Sequence, residues 1–407
     1  MITVADVERA QARIAGKVRR TPLSESAALS RLAGCHVYLK LENLQFTGSF
    51  KERGAASRLL GLDADERRRG VITASAGNHA QAVALHASRL GVAATIVMPE
   101  ATPLVKVQAT ESHGARVVLW GAGYDAAAER AAEMASETGA VYVHPFDDLQ
   151  VMAGQGTIGL ELLEQLSDID AVIVPVGGGG LIAGIATVLR EKRPEVRLIG
   201  VESRTFPGMR RALESELPAS LPPTALPGGK TIADGIAVRR VGQLTRGVVK
   251  ALVDEIVLVD EEEIAEAILL LLERERTVAE GAGAVGLAAL LHRDLGLTGR
   301  RVVIVISGGN IDVNLVSRII QRGLVKSGRL CRLWITARDV AGTLHEITGA
   351  VARARANIVS IEHDRAFSGV ELGQTRVELE IETNGVEHIA AVEAELTNAG
   401  FEYRVLR

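Results

Sequence analysis

Between Ala171 and Leu189 the chain carries no charged side chain, and the middle of that run is Pro175-Val176 followed by four glycines, Gly177 to Gly180. An apolar stretch of this length is about enough to cross a bilayer as a single helix. Proline and four glycines make such a helix untenable, because proline breaks the hydrogen-bond ladder and each glycine weakens it. The segment therefore reads as a buried strand over Ala171–Val176, a glycine turn, and a helix over Leu181–Glu191. A strand apolar on both faces that leads at once into a helix is the unit of a parallel sheet covered by helices. The same alternation runs through the first three quarters of the chain. Strands are expected at Val37–Leu41, Gly70–Thr73, Ala94–Met98, Arg116–Trp120, Arg197–Val201 and Val302–Ile306, with helices such as Asn78–Leu90, Tyr124–Thr138 and Glu261–Glu275 between them. The fold class is α/β. Pro218 to Lys230, rich in proline and glycine, reads as a loop.

A chain of 407 residues exceeds one ordinary core, so two or three domains are expected. Hydrophobic residues at 47% with charged residues at 24% describe a soluble globular protein. The formal net charge of −4 gives no electrostatic reason to expect nucleic acid or an anionic membrane as partner. Charges interrupt Met1–Arg9 before any signal-peptide core can form, so a cytoplasmic protein is expected. Cys35 and Cys331 lie far apart without metal-site spacing and read as free thiols, in keeping with a reducing compartment.

Four glycine- and serine-bearing loops stand out beside this framework. They are Thr47-Gly48-Ser49-Phe50-Lys51-Glu52-Arg53-Gly54-Ala55, Ser75-Ala76-Gly77-Asn78-His79, Gly177 to Gly180, and Ser307-Gly308-Gly309-Asn310. A lysine amine can condense with an aldehyde once it is desolvated and deprotonated. Glycines that open a helix offer bare backbone N–H groups at the positive end of the helix dipole, which is a phosphate seat without a charged side chain. No Gly-Lys-Ser or Gly-Lys-Thr follows the glycines, which disfavours an NTPase. Asparagine and serine offer neutral hydrogen bonds to a phenolic oxygen and a ring nitrogen. Together these are the needs of pyridoxal phosphate.

The four loops, with Lys40-Leu41-Glu42-Asn43, Thr231-Ile232-Ala233-Asp234-Gly235-Ile236 and Ala279-Glu280-Gly281-Ala282-Gly283-Ala284, resemble the fold-type II pyridoxal-phosphate enzymes, within them the threonine dehydratase and serine racemase group. The resemblance covers about Val4 to Lys326. It implies a catalytic domain over 1–326 made of two lobes, the smaller spanning about 71–145, with pyridoxal 5′-phosphate in the cleft. It implies that Lys51 holds the cofactor and moves the substrate's Cα proton, with Phe50 as an apolar wall. Gly177, Gly178, Gly179, Gly180 and the Leu181 N–H would hold the phosphate. Asn78 would meet the phenolic oxygen, Ser307 the ring nitrogen, and Gly235 one side of the ring, with Glu280 behind. Ser75, Gly77, Asn78 and His79 form the expected seat for the substrate carboxylate, although His79 reads equally as a residue that packs the helix start.

Two positions separate the branches of the group. The racemases commonly carry a second serine where this chain has Ala76, which cannot move a proton. They also bind a divalent cation through an acidic pair, of which Glu202 matches one member while Gly208 stands near the other, so no metal is expected. The resemblance implies β-elimination of water from L-threonine, and from L-serine, with serine dehydratase or serine racemase as the alternative. A non-catalytic amino-acid sensor is the reading from a different class.

Beyond about Arg329 the pattern changes. Thr375, Val377, Leu379 and Ile381 alternate with Arg376, Glu378, Glu380 and Glu382, a strand with one wet face. Leu344, Ile347 and Val351, then Ile389, Val392 and Leu396, repeat at helical spacing. With strands near Arg332–Thr336, Ile358–Arg365 and Tyr403–Leu406 the order is βαββαβ, a ferredoxin-like domain over 329–407. This tail resembles the ACT domain, whose first loop matches Asp339-Val340-Ala341-Gly342-Thr343-Leu344. The resemblance implies an amino-acid effector there; the alternative is a dimerisation tail without a ligand. Both modules usually self-associate, so a homo-oligomer is expected.

Overall fold

The computed structural model describes residues 1–214, 229–365 and 369–406. The loop expected at Pro218–Lys230 falls, except for Gly229 and Lys230, outside the described residues. The chain divides into two compact units, Met1–Ile311 and Asp312–Arg407.

In chain order the strands of the first unit are β1 (Leu23–Ser26), β2 (His36–Leu41), β3 (Val71–Ala74), β4 (Ala94–Met98) and β5 (Arg116–Leu119). They are followed by β6 (Val141–Tyr142), β7 (Ala171–Pro175), β8 (Arg197–Ser203), β9 (Glu255–Val259) and β10 (Arg301–Ile306). One sheet has the order β1-β2-β10-β7-β8-β9, parallel throughout except where β1 runs against β2. A second, wholly parallel sheet of order β5-β4-β3-β6 is inserted between β2 and β7. Every residue of β7 and of β3 is buried, as strands covered by helices on both faces must be. Strands β1, β6 and β9 had no signal in the sequence. Each is an edge strand and short or only half-buried; β1 and β6 carry no continuous apolar run, while the run Ile256–Val259 of β9 is only four residues long.

Close helix packing brings the future site together. The helix Lys51–Leu60 shares the small lobe's core through Ala55 and Leu59. On its other side it lies against the helix Leu149–Gln165, where a Cβ on Gly154 would come within 2.5 Å of the Arg53 carbonyl oxygen. That second helix is equally tight against Gly180–Lys192, since a Cβ on Gly184 would stand 2.5 Å from the Gly156 backbone nitrogen. Both glycines are there for space rather than for backbone freedom.

The second unit opens with the helix Val313–Lys326, so it begins at Asp312 rather than near Arg329 as the sequence suggested. Its strands are β11 (Leu330–Arg338), β12 (Asn357–Asp364), β13 (Gln374–Glu382) and β14 (Glu402–Leu406), all antiparallel in the order β12-β13-β11-β14. With the helices Thr343–Arg353 and Val386–Asn398 this is a ferredoxin-like split βαβ. Val377, Leu379 and Ile381 pack with Ile347, Val351, Ile389, Val392 and Leu396 in one core, while Leu344 stays exposed. Cys35 and Cys331 are both buried and free. Among the described residues no helix is long and apolar enough to cross a membrane.

Candidate active site

Lys51 is the first residue of its helix, and its Nζ donates to the Pro145 carbonyl oxygen at 2.8 Å. Burial pushes the amine down to about 8, against the opposing pull of the Glu280 carboxylate. A lysine poised there has a substantial neutral fraction near neutrality, far more than an ordinary lysine, and the neutral amine is the form that acts as nucleophile or base. The Phe50 ring lies beneath it, 5.2 Å from Nζ to the ring centroid. Close by, Thr47 Oγ1 and Ser49 Oγ are buried without a hydrogen-bond partner.

The glycine loop leaves β7 and opens the helix Gly180–Lys192 with Gly179 as its cap at φ +91°, a conformation that favours glycine. The Phe146 ring stands over the loop, so a Cβ on Gly178 would lie 2.3 Å from it, and one on Gly180 would lie 3.0 Å from the Phe146 backbone oxygen. Thr245 holds the loop from below, its Oγ1 donating to the Gly178 carbonyl oxygen at 2.7 Å. Asp147 fixes Thr245 in turn by accepting from the first N–H groups of the helix Gln243–Leu252. Leu181 is buried behind the loop.

Ser307 directly follows β10 and is buried. Its carbonyl oxygen accepts from the Phe50 N–H at 2.9 Å, and the Gly309 N–H donates to the Gly48 carbonyl oxygen at 2.9 Å. The Ser307 loop is thereby laced to the loop that ends in Lys51. Asn78 heads the helix Asn78–Leu90 of the small lobe, and its Nδ2 donates to Glu280 at 2.8 and 3.1 Å. Burial holds the Glu280 carboxyl up at about 7 in spite of that donor. The Glu280 N–H donates to the Gly308 carbonyl oxygen at 3.0 Å. Gly235 is exposed nearby, where an added Cβ would stand 3.4 Å from Glu280 Oε1. Lys106 of the small lobe pairs with Asp234 beside it at 2.8 Å.

The loop Ser75–His79 offers backbone groups more than side chains. Ser75 Oγ accepts from the Gly77 N–H at 3.2 Å, which shapes the turn ahead of the helix. The His79 ring is buried in the small lobe, with Nε2 3.1 Å from the Val143 carbonyl oxygen. Burial and the nearby Lys51 charge push it down to about 3, so it is neutral. The ring is therefore engaged in packing, and what His79 offers an anion is its N–H in the first helical turn. Glu202 is equally committed: its two oxygens accept from the Met209 and Arg210 N–H groups at 2.7 and 3.0 Å, capping the helix Gly208–Glu214.

Sequence reasoning passed over Pro145, Phe146, Thr245 and Asp147, which lie in stretches without glycine runs or family motifs. It also gave no role to a buried ionic cluster under the lysine helix. Arg53 binds Glu42 through two bonds of 2.8 Å and Glu161 at 2.6 and 2.9 Å, while Lys40 donates to the Thr21 carbonyl oxygen at 2.8 Å and pairs with Glu161 at 2.5 Å. Two acids meet two bases, and all are almost wholly buried. The cluster ties the turn after β2 to the first turn of the helix that begins with Lys51.

A sequence profile described as "Pyridoxal-phosphate dependent enzyme" matches residues 14–308. The chain belongs to that family. It is 49% identical over 406 residues to the L-threonine ammonia-lyase of Thermotoga maritima, covering 100% of both chains. The threonine deaminase isoform 2 of Solanum lycopersicum superposes with a TM-score of 0.72 at 37% identity, over 78% of this chain and 93% of that one. Maize serine racemase superposes with a TM-score of 0.73 at 34% identity, over 80% of this chain and 98% of that one. The residues fit the cofactor of this family. A deprotonatable amine, two unpartnered hydroxyls and a charge-free glycine cradle converge within one set of laced loops.

Proposed function

We infer that this protein is an L-threonine ammonia-lyase, converting L-threonine to 2-oxobutanoate and ammonium and L-serine to pyruvate. The observation that carries the reading is the Lys51 amine, lowered by burial and set at a helix start between two further helix N-termini that can receive anions. Pyridoxal phosphate, when bound, supplies the aldehyde that joins the amino acid's nitrogen and the ring that draws electrons from Cα. Gly177 to Gly180 and Leu181 hold its phosphate through backbone N–H groups and the helix dipole. Asn78 presents an amide donor to the phenolic oxygen. The loop Ser75–His79 receives the substrate carboxylate on N–H groups of the helix start. Lys51 Nζ would take the Cα proton, the β-hydroxyl would accept a proton and leave as water, and addition of one water to the resulting enamine, by way of its imine, would release ammonium and the keto acid. Ser307 offers the ring nitrogen a hydroxyl rather than a carboxylate, which favours prompt loss of the hydroxyl over transamination.

The superposition with maize serine racemase keeps racemisation as a second reading. Ala76 argues against it, since it packs on the small-lobe core and has no proton to give. So does Glu202, whose oxygens already accept two backbone N–H groups. We further read the second unit as an ACT-type regulatory module that takes an amino acid at the loop Asp339–Leu344. In support, Gly342 at φ +98° caps the helix Thr343–Arg353, and the residues Asp339–Gly342 that lead into it are exposed. The resemblance of both modules supports a homo-oligomer.

The test is to supply purified protein with L-threonine and follow keto-acid absorbance, then to resolve the products of L-serine by chiral chromatography. Keto acid from both substrates is expected, with Lys51→Ala lacking turnover and the visible absorbance of bound cofactor. D-serine as the main product, or full turnover by Lys51→Ala, would refute the reading.

A further inference from the structure

Asn310 closes the Ser307-Gly308-Gly309-Asn310 motif, and no role in the chemistry above falls to it. Its Nδ2 has two hydrogens and two acceptors, the Thr47 carbonyl oxygen at 2.7 Å and Asn78 Oδ1 at 2.8 Å. One acceptor lies on the loop that ends in Lys51 and the other on the small lobe. Its own Oδ1 rests on Gly48, where an added Cβ would stand only 2.6 Å away. Gly48, at φ +73°, is thus both a turn glycine and the floor under this amide.

The consequence concerns the direction of the Asn78 amide. The oxygen and nitrogen ends of an asparagine have nearly the same shape, so only neighbours decide which way the group faces. Asn310 pushes an N–H at Asn78, which turns Asn78 Oδ1 toward it and sends Asn78 Nδ2 to Glu280. Were the amide reversed, Asn78 Oδ1 would face the Glu280 carboxylate, a repulsive contact unless that carboxyl held a proton.

We propose that Asn310 is a positioning residue, which fixes Asn78 with its amide donor, not its carbonyl oxygen, on the side that meets the cofactor's phenolic oxygen. The proposal rests on the reading of Asn78 given under the proposed function. It also makes a pH-dependent prediction. The charged groups that face Glu280 are Lys51, Asp234 and Lys106, all of which remain in the variants below. Asn310→Asp keeps the shape of the side chain but removes both N–H groups and sets an oxygen against Asn78 Oδ1. The Asn78 amide then reverses, and it does so with least penalty when Glu280 is protonated.

The experiment is equilibrium dialysis of the apoprotein against pyridoxal 5′-phosphate at pH 6 and pH 8.5, with the melting temperature of each apoprotein measured alongside. Asn78→Ala should weaken binding at both pH values. Asn310→Asp should weaken it by about tenfold relative to wild type at pH 6, where a protonated Glu280 tolerates the reversed amide, and by less at pH 8.5, with the apoprotein melting close to wild type. Asn310→Ser, which retains a hydroxyl donor, should stay within about threefold. If Asn78→Ala weakens binding while Asn310→Asp matches wild type at both pH values, the proposal is overturned and the reading of Asn78 stands. If Asn78→Ala binds normally, both fall. If Asn310→Asp does not fold, Asn310→Ser and Asn310→Ala decide: equal losses in the two would show that the donor is irrelevant and overturn the proposal.

Discussion

Gly178→Ala is the sharpest perturbation of the proposed phosphate cradle, because its effect is worked from a single close approach. The added methyl would stand 2.3 Å from Cγ and Cδ1 of the Phe146 ring and 2.4 Å from Cδ2. Carbon atoms in contact prefer about 3.5–4.0 Å, so the ring must retreat by more than an ångström. It has little room to do so. The His144 ring meets it edge-on with centroids 4.6 Å apart, and the Phe146 backbone itself lies 3.0 Å from the corresponding position on Gly180. Inserting a methyl into a site packed this way costs about 1–3 kcal/mol, or a fall in melting temperature of roughly 2–6 °C for a unit of this size. The same displacement disturbs the N–H groups proposed to hold phosphate, so cofactor affinity should fall by at least ~10-fold, the equivalent of about 1.4 kcal/mol. The assay is thermal unfolding of the apoprotein and cofactor titration for Gly178→Ala, Phe146→Ala and the double variant. With the ring gone, the Gly178→Ala penalty should shrink to less than about 0.5 kcal/mol, which makes the coupling nearly as large as the single-variant loss. A penalty of the same size with and without Phe146 would refute the argument, as would a Gly178→Ala protein that melts and binds like wild type.

Three further outcomes are expected. Arg53→Met leaves Glu42 and Glu161 buried against a lone Lys40, and should destabilise the first unit by about 3–5 kcal/mol in urea unfolding, less at pH 5 than at pH 8; a loss under about 1 kcal/mol would mean the cluster holds little. For Glu202, burial raises the carboxyl from 4.5 to about 7, a displacement equivalent to about 3 kcal/mol. The folded state therefore holds that proton more tightly than the unfolded one, and the associated stability is complete below about 4.5 and lost as pH rises through 7. Glu202→Gln should flatten the decline between pH 5 and 8, and an unchanged pH–stability curve would contradict the assignment. A chain ending at Lys326 should still bind cofactor and deaminate threonine while losing its kinetic response to isoleucine or valine; a folded truncation that cannot bind cofactor would show that the tail contributes to the site.

How far the sequence could be read depended on whether an interaction leaves a local trace. β7 and its glycines were visible because a strand buried on both faces must be apolar without interruption and a helix opening on four glycines has few other uses. The wet-and-dry alternation of β13 was visible for the same reason, each residue's environment being set by the pleat. Phe146 left no trace, since its role comes from lying over a loop more than thirty residues along the chain. Arg53, Glu42, Glu161 and Lys40 look like ordinary surface charges in sequence, and only the packing of three helices and a sheet puts them together. His79 shows where a sequence leaves two readings open: a histidine beside a glycine loop suits either a polar role or packing at the helix start, and its ring lies buried against the Val143 carbonyl oxygen.

The strand order of the large sheet bears on how the chain comes to be folded as it is made. β10 lies third in a row of six, between β2 and β7, yet it is the last of them to leave the ribosome. Until residue 306 has emerged, β2 and β7 have no partner on their facing edges, and neighbouring apolar surface stays open to water or to other nascent chains. The small lobe is under no such delay, because β3 to β6 are contiguous in sequence and close their own sheet. Synthesis thus yields a folded insert carried on an unfinished platform for about 160 further residues. The arrival of β10 completes the platform and, in the next residue, delivers Ser307. The two loops that Ser307 joins, its own and the one that ends in Lys51, thus meet only when the last strand of the sheet is in place.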